Sequence, residues 1–229
     1  NATLTHSAVS ANASYKVDTT APTAPSVSGT TPTNDTTPTW SWADGGGGGS
    51  GTYRYKLDDS NLTSGATQTT GTSYTPGSAL SAATHTLYVQ ERDAAGNWSA
   101  SGSKSIVIDT TAPTMTITAT TSGGGSSVAS GSTTAKDASL ALTFTSSETS
   151  TDFAQNDITV TNGDLSSFSA ISETVYSATL VPRDDGAATI DVEAGTFTDP
   201  AGNDNTAAAQ FSIVAQVNDV PVGNAQSVT

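Results

Sequence analysis

Apolar and polar residues alternate along this chain in short runs, and few runs exceed eight residues. Trp40 and Trp42, Leu87 and Val89, and Ile106 and Ile108 each stand two apart, as do Leu140, Leu142 and Phe144. A period of two places one side of a strand on a core and leaves the other to solvent. The first stretch predicts strands over 26–29, 37–43, 52–57, 68–75, 85–92 and 103–108. The second predicts strands over 114–120, 139–145, 157–161, 165–171, 175–181, 188–193 and 209–214. Gly, Pro, Asn and Asp bound these runs, as strand ends require. In 175–181 both parities carry apolar residues, so the pattern leaves that strand's facing open. No run has a helical period. Asn162-Gly163 and Asp185-Gly186 are turn signals, and Gly45 to Gly49 predicts a flexible loop tip.

A repeated punctuation divides these strands. Residues 17–23 read V-D-T-T-A-P-T and residues 108–114 read I-D-T-T-A-P-T, with a looser V-N-D-V-P-V at 217–222. Each joins the end of a strand to an acid, a short polar step and a proline. The first two copies lie 91 residues apart (108 − 17), about the length of one small β-sandwich. The expected organisation is all-β, with sandwich domains joined by short Asp/Pro linkers. Residues 1–17 read as the last strand or strands of a truncated preceding repeat, 18–108 as one domain, 109–217 as a second and 218–229 as the start of a third. The chain starts and ends in mid-pattern, as an excerpt of a longer repetitive protein does.

Composition narrows the function. Lys and Arg number 7 against 21 Asp and Glu, a formal charge of −14. Nucleic-acid binding needs cationic side chains to displace counterions, and an anionic membrane surface repels such a chain. The acidic balance suits solubility or divalent cations. With no cysteine, disulfides and thiolate metal sites are impossible. The two histidines, His6 and His85, are too few and too far apart in sequence to argue an imidazole site or a Ser–His–Asp order. No apolar run approaches a membrane span, and no signal peptide opens the chain. The glycine run is followed by neither the lysine nor the helix of a phosphate-binding loop.

The residues also carry a family likeness. N-D-T-T-P-T (34–39), Leu80 with H-T-L-Y-V (85–89) and R-D-A-A-G-N-W-S (92–99) resemble bacterial Ig-like or fibronectin type III-like repeats of giant surface proteins. L-T-F-T-S-S-E (142–148), D-I-T-V-T-N-G (157–163) and G-T-F-T-D-P-A-G-N (195–203) resemble the Ig-like repeats of biofilm-associated proteins and adhesins exported by type I secretion. The tail from Val217 is similar to the opening of cadherin-like repeats. The resemblance implies tandem Ig-like β-sandwiches in an extracellular stalk on a bacterial cell surface. It also implies joints stiffened by Ca²⁺. His85 departs from the pattern, standing where many relatives have the tyrosine that packs a strand corner. The implied partners are neighbouring repeats of the same chain, with any host or biofilm ligand bound by other domains. A monomeric, non-catalytic piece is expected.

An Ig-like sandwich returns its BC and FG loops to the pole where the chain enters. Three acids of each unit fall there: Asp18, Asp44 and Asp93 in the first, Asp109, Glu148 and Asp199 in the second. Converging carboxylates raise one another's pKa, and a hard cation removes that penalty. Ca²⁺ takes six to eight oxygens, and the D-x-A-G-N loops can add carbonyls and the amides of Asn97 and Asn203. Asp157 opens a strand at the second pole and is a further candidate. Read structurally, D-x-x-G-N is also a good turn whose acid caps its own backbone.

Two rival readings remain. Trp40, Trp42, Tyr53, Tyr55 and Trp98 could form a sugar-stacking platform, although a sandwich this poor in large apolar residues needs the first two as core. Alternatively, the units are accessories to a secreted hydrolase. No acids are paired in a cleft as glycoside hydrolysis requires.

Overall fold

The structure, a computed structural model, describes residues 17–123 and 125–217. The expectations for the segments before Val17 and after Val217 lie outside the described residues. The chain divides into two compact units. The first comprises residues up to Thr30, Thr37–Ser78 and Thr84–Ile106; the second comprises Thr31–Thr36, Ala79–Ala83 and the chain from Val107.

Unit one is built from two antiparallel sheets. The smaller orders β1 (Ser26–Ser28), β2 (Trp40–Ala43) and β5 (Ser73–Tyr74). The larger orders β4 (Thr67–Thr69), β3 (Gly49–Leu57), β6 (Thr84–Asp93) and β7 (Gly102–Val107). The run expected as one strand over 68–75 divides into β4 and β5, which pair with different sheets. The alternation has its predicted consequence: Trp40, Trp42, Leu87, Val89 and Ile106 are all buried. Trp40 donates its indole N–H to the Lys104 carbonyl at 3.0 Å. Trp42 meets Tyr53 edge-on at 5.9 Å between centroids, a geometry that favours aromatic pairs. The two tryptophans and Tyr53 are therefore core, not a sugar platform.

Unit two pairs a five-stranded with a four-stranded sheet. The first orders β13 (Gly163–Ala170), β14 (Val175–Pro182), β11 (Leu140–Ser146), β8 (Met115–Thr121) and β9 (Ser127–Val128). The second orders β10 (Ser132–Ala135), β16 (Phe211–Gln216), β15 (Gly186–Val192) and β12 (Ile158–Thr161). Both inner faces contribute to one core, with Leu142, Phe144, Leu180, Ile190 and Ile213 fully enclosed. The undecided strand, β14, buries Tyr176, Ala178 and Leu180. Its neighbour β11 presents Phe144, Leu142 and Leu140 in register with them, which selects that parity.

Strands β9 and β10 have no apolar alternation and were not expected. Ser-Val and Ser-Thr-Thr-Ala gain their partners from β8 and, in a parallel pairing, from β16. A single 3-10 turn spans Gln155–Asp157, with no α-helix among the described residues. Among the described residues no helix is long and apolar enough to cross a membrane.

Candidate metal site

In each unit the loop D-x-A-G-N follows an inward-facing strand parity and folds back over the incoming linker. Unit two shows it fully. Asp199 is buried, and its Oδ1 accepts the Asn203 backbone N–H at 2.9 Å. The Asn203 side-chain Nδ2 donates to Asp199 Oδ2 at 2.8 Å and to the Asp109 carbonyl at 2.9 Å. Gly202, at φ 89°, makes the tight wrap, in a conformation open to glycine. Unit one repeats the arrangement. Asn97 Nδ2 donates to Asp93 Oδ2 at 2.8 Å and to the Asp18 carbonyl at 3.0 Å. In both, the asparagine side-chain N–H donates to the loop acid and to the linker's backbone carbonyl, clipping the linker.

Asp109, Glu148 and Asp199 come together as expected. Each offers a carboxylate oxygen, all within 4.8 Å of one another. Glu148 is half-buried and follows β11; its carboxyl is pushed up by burial, then by the charges of Asp109 and Asp199. Three converging acids with an oxygen-only donor set fit a hard divalent ion.

The other candidates fall elsewhere. Asp157 caps its 3-10 turn, with Oδ2 accepting the Ala154 N–H at 2.7 Å, and stands outside the group of three. Among the described residues, Asp18, Asp44 and Asp93 form no comparable group. Their carboxylates are engaged locally. Asp18 Oδ1 accepts the Thr20 N–H at 3.0 Å, and Asp44 Oδ1 accepts that of Gly46 at 2.5 Å. Asp93 Oδ1 accepts those of Gly96 at 2.6 Å and Asn97 at 2.8 Å. The Asn97 amide leads the hydrogen bonds that hold the Asp93 carboxyl below its ordinary range.

Two acids at these poles had not been singled out. Asp152 accepts the backbone N–H of Thr198 at 3.1 Å and its hydroxyl at 2.9 Å, fixing the residue before Asp199. Glu91 is fully buried in unit one. Its Oε1 accepts the Gly51 N–H at 3.1 Å, while Oε2 has no hydrogen-bond partner. Burial, and then Asp44, push its carboxyl up. The parity Leu87, Val89, Glu91, Asp93 carries that signal, since a strand pointing two apolar residues inward also points the next step inward. Loop 45–49 is also less free than its five glycines suggested. The Gly46 carbonyl accepts the Thr23 N–H at 3.0 Å, and Gly49 opens β3.

Fold and pole together define an Ig-like β-sandwich protein, and residues 109–215 match the model of the bacterial Ig-like domain family. The chain is similar in structure to chitinase ChiA74 from Bacillus thuringiensis, with 16% identity over 90% of this chain and a TM-score of 0.32. It is also similar to SGBP-B of the Bacteroides ovatus mixed-linkage glucan utilization locus, solved with a mixed-linkage heptasaccharide; there identity is 12% over 82% of this chain, with a TM-score of 0.25. The chain spans 29% of the first structure and 44% of the second. Neither superposition is close enough to carry an argument about function. No curated protein matches.

Proposed function

We propose that the chain is part of a non-catalytic extender region of a bacterial surface adhesin, and that Ca²⁺ stiffens it by fastening a linker to the domain the linker enters. The observation that carries this is the trio Asp109, Glu148 and Asp199. One acid belongs to the linker and two to the loops of the sandwich that follows. The Asn203 clip already holds the linker backbone at Asp109. A cation shared by the three carboxylates would replace mutual repulsion with a common bond. The bacterial Ig-like match over 109–215 supports a secreted, structural setting.

Calcium titration followed by calorimetry, thermal unfolding and small-angle scattering tests the reading. Calcium at about 100 times its Kd should stabilise unit two by about 2.7 kcal/mol. Scattering profiles should differ between calcium and chelator. Glu148→Gln should abolish both responses, and in chelator it should be more stable than the parent, because it removes one of three like charges. Identical melting and scattering in calcium and chelator would overturn the proposal.

A further inference from the structure

Unit one carries a second charged feature, of opposite sign and on the outer face of its larger sheet. Tyr53 on β3 is buried, so Arg54 points outward. On β6, Leu87, Val89 and Glu91 are buried, so Tyr88, Gln90 and Arg92 point outward. The register sets Gln68, Arg54 and Gln90 in one row across three strands. Arg54 Nε donates to Gln90 Oε1 at 2.8 Å, which fixes its guanidinium. That guanidinium lies over the half-buried Trp98 ring, with Cζ 4.3 Å from the centroid, and Arg92 Cζ lies 5.9 Å from the same centroid.

Two guanidiniums thus share one indole. Neither is in a salt bridge with any described residue, although the chain has three times as many acids as bases. The indole face offsets part of their repulsion, but among the described residues their outer N–H donors have no anionic partner. Guanidinium is the side chain best shaped to hold a carboxylate with two parallel hydrogen bonds. The flat face adds two amides, which suit hydroxyl groups, and the Tyr88 ring.

We infer that the Arg54–Trp98–Arg92 face of unit one binds a polysaccharide carrying carboxylate groups, its uronic-acid units seated on the two guanidiniums. This site is independent of the calcium trio, so the experiment is run in chelator. Polygalacturonate oligomers are titrated into the protein, with a neutral glucan oligomer and an oligonucleotide as parallel arms. Calorimetry and tryptophan fluorescence report binding; Trp40 and Trp42 are core, so a spectral change arises from Trp98. The expected result is saturable binding of polygalacturonate alone, weakened as salt rises and at least tenfold weaker in Arg54→Gln/Arg92→Gln. That double variant keeps the core intact, and an unchanged melting temperature checks its fold. If it unfolds, Gln68→Ala/Tyr88→Ala replaces it, and a loss of at least threefold is expected. No binding at millimolar polygalacturonate, equal binding of the neutral glucan, tighter binding of the oligonucleotide, or unchanged affinity in a folded variant would each overturn the inference.

Discussion

Glu91 of unit one and Phe197 of unit two stand two residues before their loop acids and point inward at the same step. Phenylalanine there fills the core: Phe197 packs at 5.1 Å from Phe153. Glutamate there places a carboxyl against Gly49, where a Cβ would sit 2.1 Å from Oε1, so a larger residue at 49 would make the carboxyl shift. With its carboxyl pushed up in the fold, Glu91 opposes folding at neutral pH, and this opposition fades as pH falls through the raised value toward the ordinary glutamate range. Glu91→Gln keeps an oxygen for the Gly51 N–H and supplies a donor toward Asp44. It should therefore stabilise unit one at pH 7 by on the order of 1 kcal/mol. Urea unfolding at a series of pH values checks this: the gain over the parent should shrink steadily on acidification. A gain that persists undiminished at pH 4 would show that charge is not the cause.

At the scale of elements, the D-x-A-G-N loop works as a clip. Its acid accepts the loop's own N–H groups, and its asparagine reaches the linker carbonyl, in unit one at Asp18 and in unit two at Asp109. Neutral hydrogen bonds contribute about 0.5–1.5 kcal/mol each, and those to charged groups about 1.5–3. Asn203→Ala removes one of each kind. The expected cost is about 2 kcal/mol, together with faster amide exchange in the linker at Asp109–Thr111; hydrogen exchange read by mass spectrometry shows whether the linker is released. Protection unchanged in that segment would mean the clip does not hold it. The acid's position was legible because Asp199 follows Phe197 in step. The clip was not, because nothing in the sequence says which way an asparagine amide turns. Asp157 was misplaced for a related reason: an acid at a strand's start was read as facing the pole, whereas its carboxylate accepts the N–H of Ala154, three residues before it.

Across the whole molecule, each unit encloses its own core and the aromatic residues are divided unevenly between them. All three tryptophans lie in unit one, while the phenylalanine cluster around Phe153 lies in unit two. Phe144 is fully buried, and truncating such a side chain costs about 3–5 kcal/mol. Phe144→Ala should therefore lower the unfolding transition seen by far-ultraviolet circular dichroism. The transition seen by tryptophan fluorescence should hardly move. A coincident shift in both probes would show that the two cores melt as one.

The sequence by itself determined the all-β class, most strands and the inward faces of those with clean alternation. Side-chain direction in a strand follows from position alone, and turn residues mark where each strand stops. It also determined that three acids of unit two would meet, because the loops carrying them return to one pole. Tertiary structure decided what alternation does not encode. It gave the short polar strands β9 and β10 their partners, and it chose the buried side of β14 through its neighbour. It turned both asparagines onto the linkers. It brought the acids of unit two within reach of one cation, while in unit one it engaged Asp18 with a nearby backbone N–H, Asp44 with a backbone N–H and Glu91, and Asp93 with the Asn97 side chain. Those outcomes depend on which groups lie opposite across a sheet or loop, and residues far apart in sequence settle that only when the sheets pack.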